Sequence, residues 1–330
     1  MNHHRNSTLD VLKLLASYMV VFIHVLFYGR IGETVDALAR FAVPLFFLVS
    51  GYYSYQSTPE KLKRRILHLV HLLLFAVIAY NIYDILLLLQ KHNIQGIIKY
   101  LNQYLSSEKL LNLIVYNVPV HTVHAWYLLA SIYVYCLLYC AAISNIPEKL
   151  IFVVSILTLL LHLFLGEVLS VFDIFLPIHY VRNFAFMGLP FFGLGMLTNK
   201  YQHKLRKVPN YAIIISIVIG VLGTLLSRYL VGKNELYIGS LFILFALVAI
   251  FIKYPNVKYP PVLLSITGCS TYIFIFHRMI SFILKKLYVK WDMDYPSSFI
   301  LQMIHPLVVC IISTILAYIL IKLTQRKKNK

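Results

Sequence analysis

Lys13 and His24 stand eleven residues apart inside the apolar run STLDVLKLLASYMVVFIHVLF. An α-helix turns about 100° per residue, so eleven steps return to within about 20° of the starting face. The rise over that distance is about 16 Å, half the hydrocarbon core of a bilayer. One helix face therefore carries an ammonium near one membrane surface and an imidazole deep in the span. An imidazole so placed can take a proton from a hydroxyl or carry a group covalently, and an ammonium can hold an anion. Singly, each has a plain structural explanation: Lys13 snorkels to headgroups, and His24 hydrogen-bonds a neighbouring helix. The shared stripe, with Asp10, Ser17, Val21 and Tyr28 at steps of three and four, argues against both, because ionisable groups are expensive on a lipid face. Asp10 suits a helix start, with Ser7-Thr8-Leu9-Asp10 as a capping box.

Other polar residues punctuate later apolar runs. Arg40 opens RFAVPLFFLVSGYY, where it could hold a polar or anionic ligand or meet headgroups; Pro44 and Ser50-Gly51 favour a bend or a close neighbour. Arg64, Arg65 and His68 lie in the basic stretch KLKRRILH. That stretch either fixes topology or holds phosphates, and the residues alone leave these readings level. His124 and Trp126 begin HAWYLLASIYVY; Trp126 and Tyr127 fit an interfacial aromatic belt, and His124 shares the outer depth of His24. Arg182 precedes a short Phe/Gly-rich run, and His277-Arg278 sits within an apolar one, where both groups need partners or water. His305-Pro306 reads as a kink with a satisfied histidine. The histidines are scattered with few carboxylates near them, so a metal site is not expected. No Walker loop, dinucleotide glycine fingerprint, HExxH motif or serine-nucleophile elbow occurs.

These residues need membrane helices to position them. The chain is 60% hydrophobic and 13% charged, and its mean hydropathy is +0.78. A soluble domain is about half apolar and about a quarter charged. The composition predicts an all-α, polytopic membrane bundle of about ten transmembrane helices, forming a single domain over residues 1–330 with no separate soluble part. The spans are expected at 9–28, 40–57, 65–89, 122–143, 149–166, 184–199, 210–229, 236–253, 262–284 and 299–322. Between the third and fourth, IIKYLNQYLSSEKLLNLIVY is amphipathic and would lie at the interface or cap a cavity. The four cysteines all fall inside apolar runs, where they read as small hydrophobes.

The formal charge of +18 is distributed between apolar runs rather than gathered on a basic domain, which argues against nucleic acid. With both termini cytoplasmic, the inner segments, from Arg5 to Lys330, hold seventeen cations against three acids, and the outer segments eleven against eight. The positive-inside rule therefore places both termini in the cytoplasm, Lys13 near it and His24 nearer the outside. No cleavable signal peptide is evident.

The Lys13–His24 spacing, FAVPLFFLVSGYY, HAWYLLASIYVY, FAFMGLPFFGLGML and STYIFIFH occur in an order that resembles the acyltransferase-3 family of bacterial polytopic membrane proteins. The resemblance covers nearly the whole chain. It implies a multi-pass protein of the bacterial plasma membrane that moves an acyl group, commonly acetyl, from cytoplasmic acyl-CoA to an extracytoplasmic hydroxyl, often on a cell-surface glycan. It assigns the catalytic role to His24 and a donor-side role to Lys13. Arg64, Arg65 and His68 would hold the CoA phosphates, although the family's Arg-x-x-Arg is here Arg65-x-x-His68. Arg40, His124, Trp126, Arg182 and His277 would face the acceptor. No metal is implied, and the oligomeric state is open. RFAVPLFFLVSGYY and HAWYLLA are also similar to the membrane half of vancomycin-resistance serine racemases, linked to serine uptake. A carrier or translocation subunit without acyl chemistry is therefore the competing expectation.

Overall fold

A computed structural model describes residues 6–91 and 94–328, and among them there is helix and no strand. The principal helices are α1 (Ser7–His24), α2 (Gly29–Leu38), α3 (Ala42–Tyr52), α4 (Pro59–Gln90), α5 (Ile94–Asn102), α6 (Ser107–Tyr116) and α7 (Trp126–Ile143). They continue as α8 (Glu148–Leu163), α9 (Leu189–Lys200), α10 (Asn210–Val231), α11 (Ile238–Lys253), α12 (Ser270–Lys290) and α13 (Phe299–Lys328).

Every expected span has a helical counterpart. Among the described residues eight helices are long and apolar enough to cross a membrane, so the bundle is polytopic and all-α. The eighth and sixth expected spans are the shorter α11 and α9. The amphipathic stretch forms α5 and α6, whose Ile98 and Leu111 remain exposed. Exposed apolar rows on α4 (Leu74, Ile78, Ile82) and α10 (Ile214, Val218, Leu222) are what a hydrocarbon solvent accepts and water does not. Arg5 and Lys330, counted in the charge balance, lie outside the described residues.

Two compact units share the chain: Met1–Phe46 with Tyr201–Lys330, and Phe47–Lys200. In the first, α12 packs on α1 and α13, and α10 packs on α11 and α2. The α10–α11 crossing uses small residues: a Cβ on Gly220 would strike Ile243 and the Gly239 carbonyl, and one on Gly239 would strike Thr224. Without a hydrophobic drive between helices in lipid, such close backbone approach supplies the packing energy. In the second unit α4 packs on α7, and α8 on α9. Its core gathers Leu62, Tyr135, Phe152 and Phe192. A Cβ on Gly51 would meet the Phe192 carbonyl, and one on Gly195 the Leu48 carbonyl, which explains the small residues at these positions.

The first expected span overran. α1 stops at His24, and the chain turns through Val25–Tyr28 to Gly29, whose φ is +52°. Its start is also different: Asn6 caps the helix by accepting from the Leu9 amide, while Asp10 forms an ion pair with Lys13 at 2.7 Å.

Candidate functional site

Within the first unit, α1 is unbroken from Lys13 to His24, so the two residues do share a face. Ser17 and Val21 between them have no exposed surface, whereas Leu15 on the other side is open. The stripe therefore faces protein. Lys13 is half-buried, paired with Asp10.

His24 occupies the last turn of α1, where the negative end of the helix dipole collects. Its imidazole stacks on that of His277 from α12, with centroids 5.2 Å apart and planes 26° from parallel. His277 is fully buried. Its Nδ1 lies 3.1 Å from the Ile273 carbonyl and 2.8 Å from that of Phe274. Both are acceptors, so Nδ1 carries the hydrogen and Nε2 of the neutral ring is the basic nitrogen. The backbone of α12 thus fixes the tautomer of an imidazole lying against His24.

Arg40 is also in this unit, but not as an open hook. Its guanidinium is 4% exposed and engages Asp36 at 2.6 Å and Glu235 at 2.8 Å. Lys233 approaches Asp36 at 3.5 Å, giving two cations against two acids. Its charge is matched by these acids, and it ties the segment after α2 to the turn before α11.

Within the second unit, His124 and Trp126 are buried and Arg182 is half-buried. The Arg182 guanidinium lies 5.6 Å over the Trp126 ring, and the His124 ring lies 4.6 Å from that of Tyr80. Trp126 is buried, which corrects its reading as part of a lipid-facing aromatic belt: a cation covers its face. Two asparagines brace this part of the unit. Asn117, left-handed at φ 49°, accepts from the Phe184 amide at 2.8 Å. Asn183 accepts from the amides of Ala185 and Phe186 at 2.9 and 3.0 Å. Asn183 thereby caps a π-helical turn, Phe184–Gly188; a second π turn, Phe164–Val168, carries the buried Glu167. Such turns often mark functional sites. Asn117, Tyr80 and Glu167 were not singled out in the sequence; a buried acid in an apolar run was the signal available for Glu167.

At the other end of this unit Arg64 and His68 are exposed on α4. Arg65 turns inward, donating to the Tyr53 carbonyl at 2.7 Å and to the Ser54 hydroxyl, with its guanidinium 6.0 Å from the Tyr135 ring. Among the described residues no group of three metal-ligating side chains occurs.

A family model described as an acyltransferase domain matches residues 6–322. No curated protein and no solved structure matches significantly.

Proposed function

The chain belongs to the acyltransferase-3 family, as a multi-pass membrane acyltransferase, and from that premise we propose that it moves an acetyl group from cytoplasmic acetyl-CoA to an extracytoplasmic hydroxyl, on a cell-surface glycan. His24 acts as general base. It takes the acceptor's proton as the oxygen attacks the thioester carbonyl; the C–O bond forms, the C–S bond breaks and CoA leaves as a thiolate. His277 holds the His24 ring and shares the charge that develops on it. One observation carries this reading: the stacked imidazole pair, one ring's tautomer locked by helix carbonyls, on the inward face of α1.

Within the second unit Arg64 is an exposed cation suited to the donor's phosphates, and Arg65 needs release from Ser54 to join it. Trp126 and Arg182 supply an aromatic face and a cation suited to a sugar once the guanidinium swings off the ring it covers, and His124 supplies an imidazole.

The decisive experiment incubates acetyl-CoA with purified protein in detergent and follows free CoA by mass spectrometry. Wild type should release CoA and His24→Ala should not, with equal membrane insertion. Solute counterflow in proteoliposomes that ignores CoA would instead establish a carrier. Mass spectrometry of surface glycans from deletion cells would identify the acceptor.

A further inference from the structure

His305, expected only to be a satisfied histidine beside a proline, has a specific arrangement. Its Nε2 lies 2.9 Å from the Ser281 hydroxyl and its Nδ1 3.2 Å from the Tyr288 hydroxyl. His305 has no exposed surface, Ser281 is 5% exposed and Tyr288 8%. Such polar groups are expensive in a membrane protein; they join helices through hydrogen bonds, and buried ionisable ones commonly have a functional reason as well.

The chemistry of the three groups supplies one. A neutral imidazole holds one proton, and each hydroxyl can both donate and accept. If Nδ1 carries the proton, Tyr288 accepts and Ser281 donates to Nε2. If Nε2 carries it, the roles reverse. A change of tautomer therefore passes a proton between the Ser281 end and the Tyr288 end without any charge remaining buried.

Both ends lead somewhere. Ser281 is four residues after His277, one turn along the same face of α12, with Cβ atoms about 5–6 Å apart. A bridging water would join the Ser281 hydroxyl to the histidine pair. At the other end Tyr288 stacks on Tyr295 with centroids 5.6 Å apart, and Tyr295 lies 5.1 Å from the ammonium of the exposed Lys285. The titratable groups facing His305 are Tyr288 and Lys285 from α12 and Tyr295 from the following loop. From α1, His24 faces His277.

We propose that Ser281, His305 and Tyr288 form a proton relay connecting the His24–His277 pair to the protein surface at Lys285. The inference rests on His24 being the base of acyl transfer. The proton removed from the acceptor hydroxyl passes from His24 to Ser281 and through His305 to Tyr288 and out to water, while His277, its Nδ1–H held by the Ile273 and Phe274 carbonyls, stays neutral. The ester C–O bond forms as the C–S bond breaks, and the departing thiolate takes its proton from cytoplasmic water. Ser281, His305 and Tyr288 are positioning and proton-carrying residues and need not touch the acyl group.

The test uses the full chain in lipid nanodiscs, with acetyl-CoA as the probe and water as acceptor. Ser281→Ala and Tyr288→Phe should each lower kcat about ten-fold or more. KM for acetyl-CoA should stay unchanged, the solvent deuterium isotope effect should rise, and the pH–rate profile should shift. Added imidazole should restore part of the activity of His305→Ala. Should His305→Ala fail to fold, the two milder variants decide. Wild-type kcat in both, or a loss with an unchanged isotope effect and pH profile, overturns the relay and leaves acyl transfer standing. Wild type that releases no CoA overturns the acyl-transfer reading, and the relay with it.

Discussion

At the scale of single residues, burial decides which ionisable groups are free to act. Arg40 is matched by Asp36 and Glu235 in a largely buried site, so removing it leaves two carboxylates facing one remaining cation, Lys233. Arg40→Ala should lower stability by about 3–5 kcal/mol, seen as a drop in the unfolding midpoint in detergent; an unchanged midpoint would show the cluster to be dispensable. His121 offers a pH-dependent case outside the membrane spans. Its ring stacks on Tyr100 at 3.8 Å. Burial pushes its pKa below the ordinary imidazole value, against the opposing pull of the Tyr100 carbonyl. The folded form therefore prefers neutral His121. Stability from it is complete above about pH 6.5 and declines as pH falls from there toward the lowered folded-state value. Hydrogen exchange in α5 and α6, corrected for intrinsic rates, should accelerate on acidification, and His121→Phe should remove that response. Residue types pointed to His24, Lys13, His124 and Arg182 from the sequence. They could not reveal that Arg40 has two acids beside it, because Glu235 is 195 residues away.

At the scale of elements, close crossings at glycine hold helices that lack a hydrophobic drive to associate. Gly51→Val and Gly195→Val drive side-chain atoms into the backbone of a facing helix. Each should cost about 1–3 kcal/mol or more, with loss of monodisperse protein after extraction. Gly166→Ala, in the π turn of the second unit, meets nothing within 4 Å and should change stability by less than about 0.5 kcal/mol. A measurable penalty there would mean the π turn needs glycine for its backbone. The existence of these helices was legible because lipid requires long apolar runs. Their ends were less so: Val25-Leu26-Phe27-Tyr28 is as apolar as the helix before it, and only the positive φ of Gly29 betrays the turn. The Ser281–His305–Tyr288 clasp was invisible for a different reason. It joins two helices through side chains 17 and 24 residues apart, and neither spacing describes a face of one helix.

At the scale of the whole molecule, charge asymmetry and the helix count jointly predict sidedness. Protease sites inserted in the basic connection Tyr201–Val208 should be cut from the cytoplasmic face, and sites inserted at Gly232–Tyr237 from the opposite face. The reverse pattern would place His24 nearer the cytoplasm and remove the proposed path to an external acceptor. The abrupt end of α1 has a consequence of its own. Because one helix carries both Lys13 and His24, it works as a protractor. Adding a single leucine after Val20 leaves hydropathy, length and insertion almost untouched, yet swings everything downstream by about 100°. His24 would then leave His277, and a strain carrying that insertion should make an abundant, correctly inserted and catalytically silent protein.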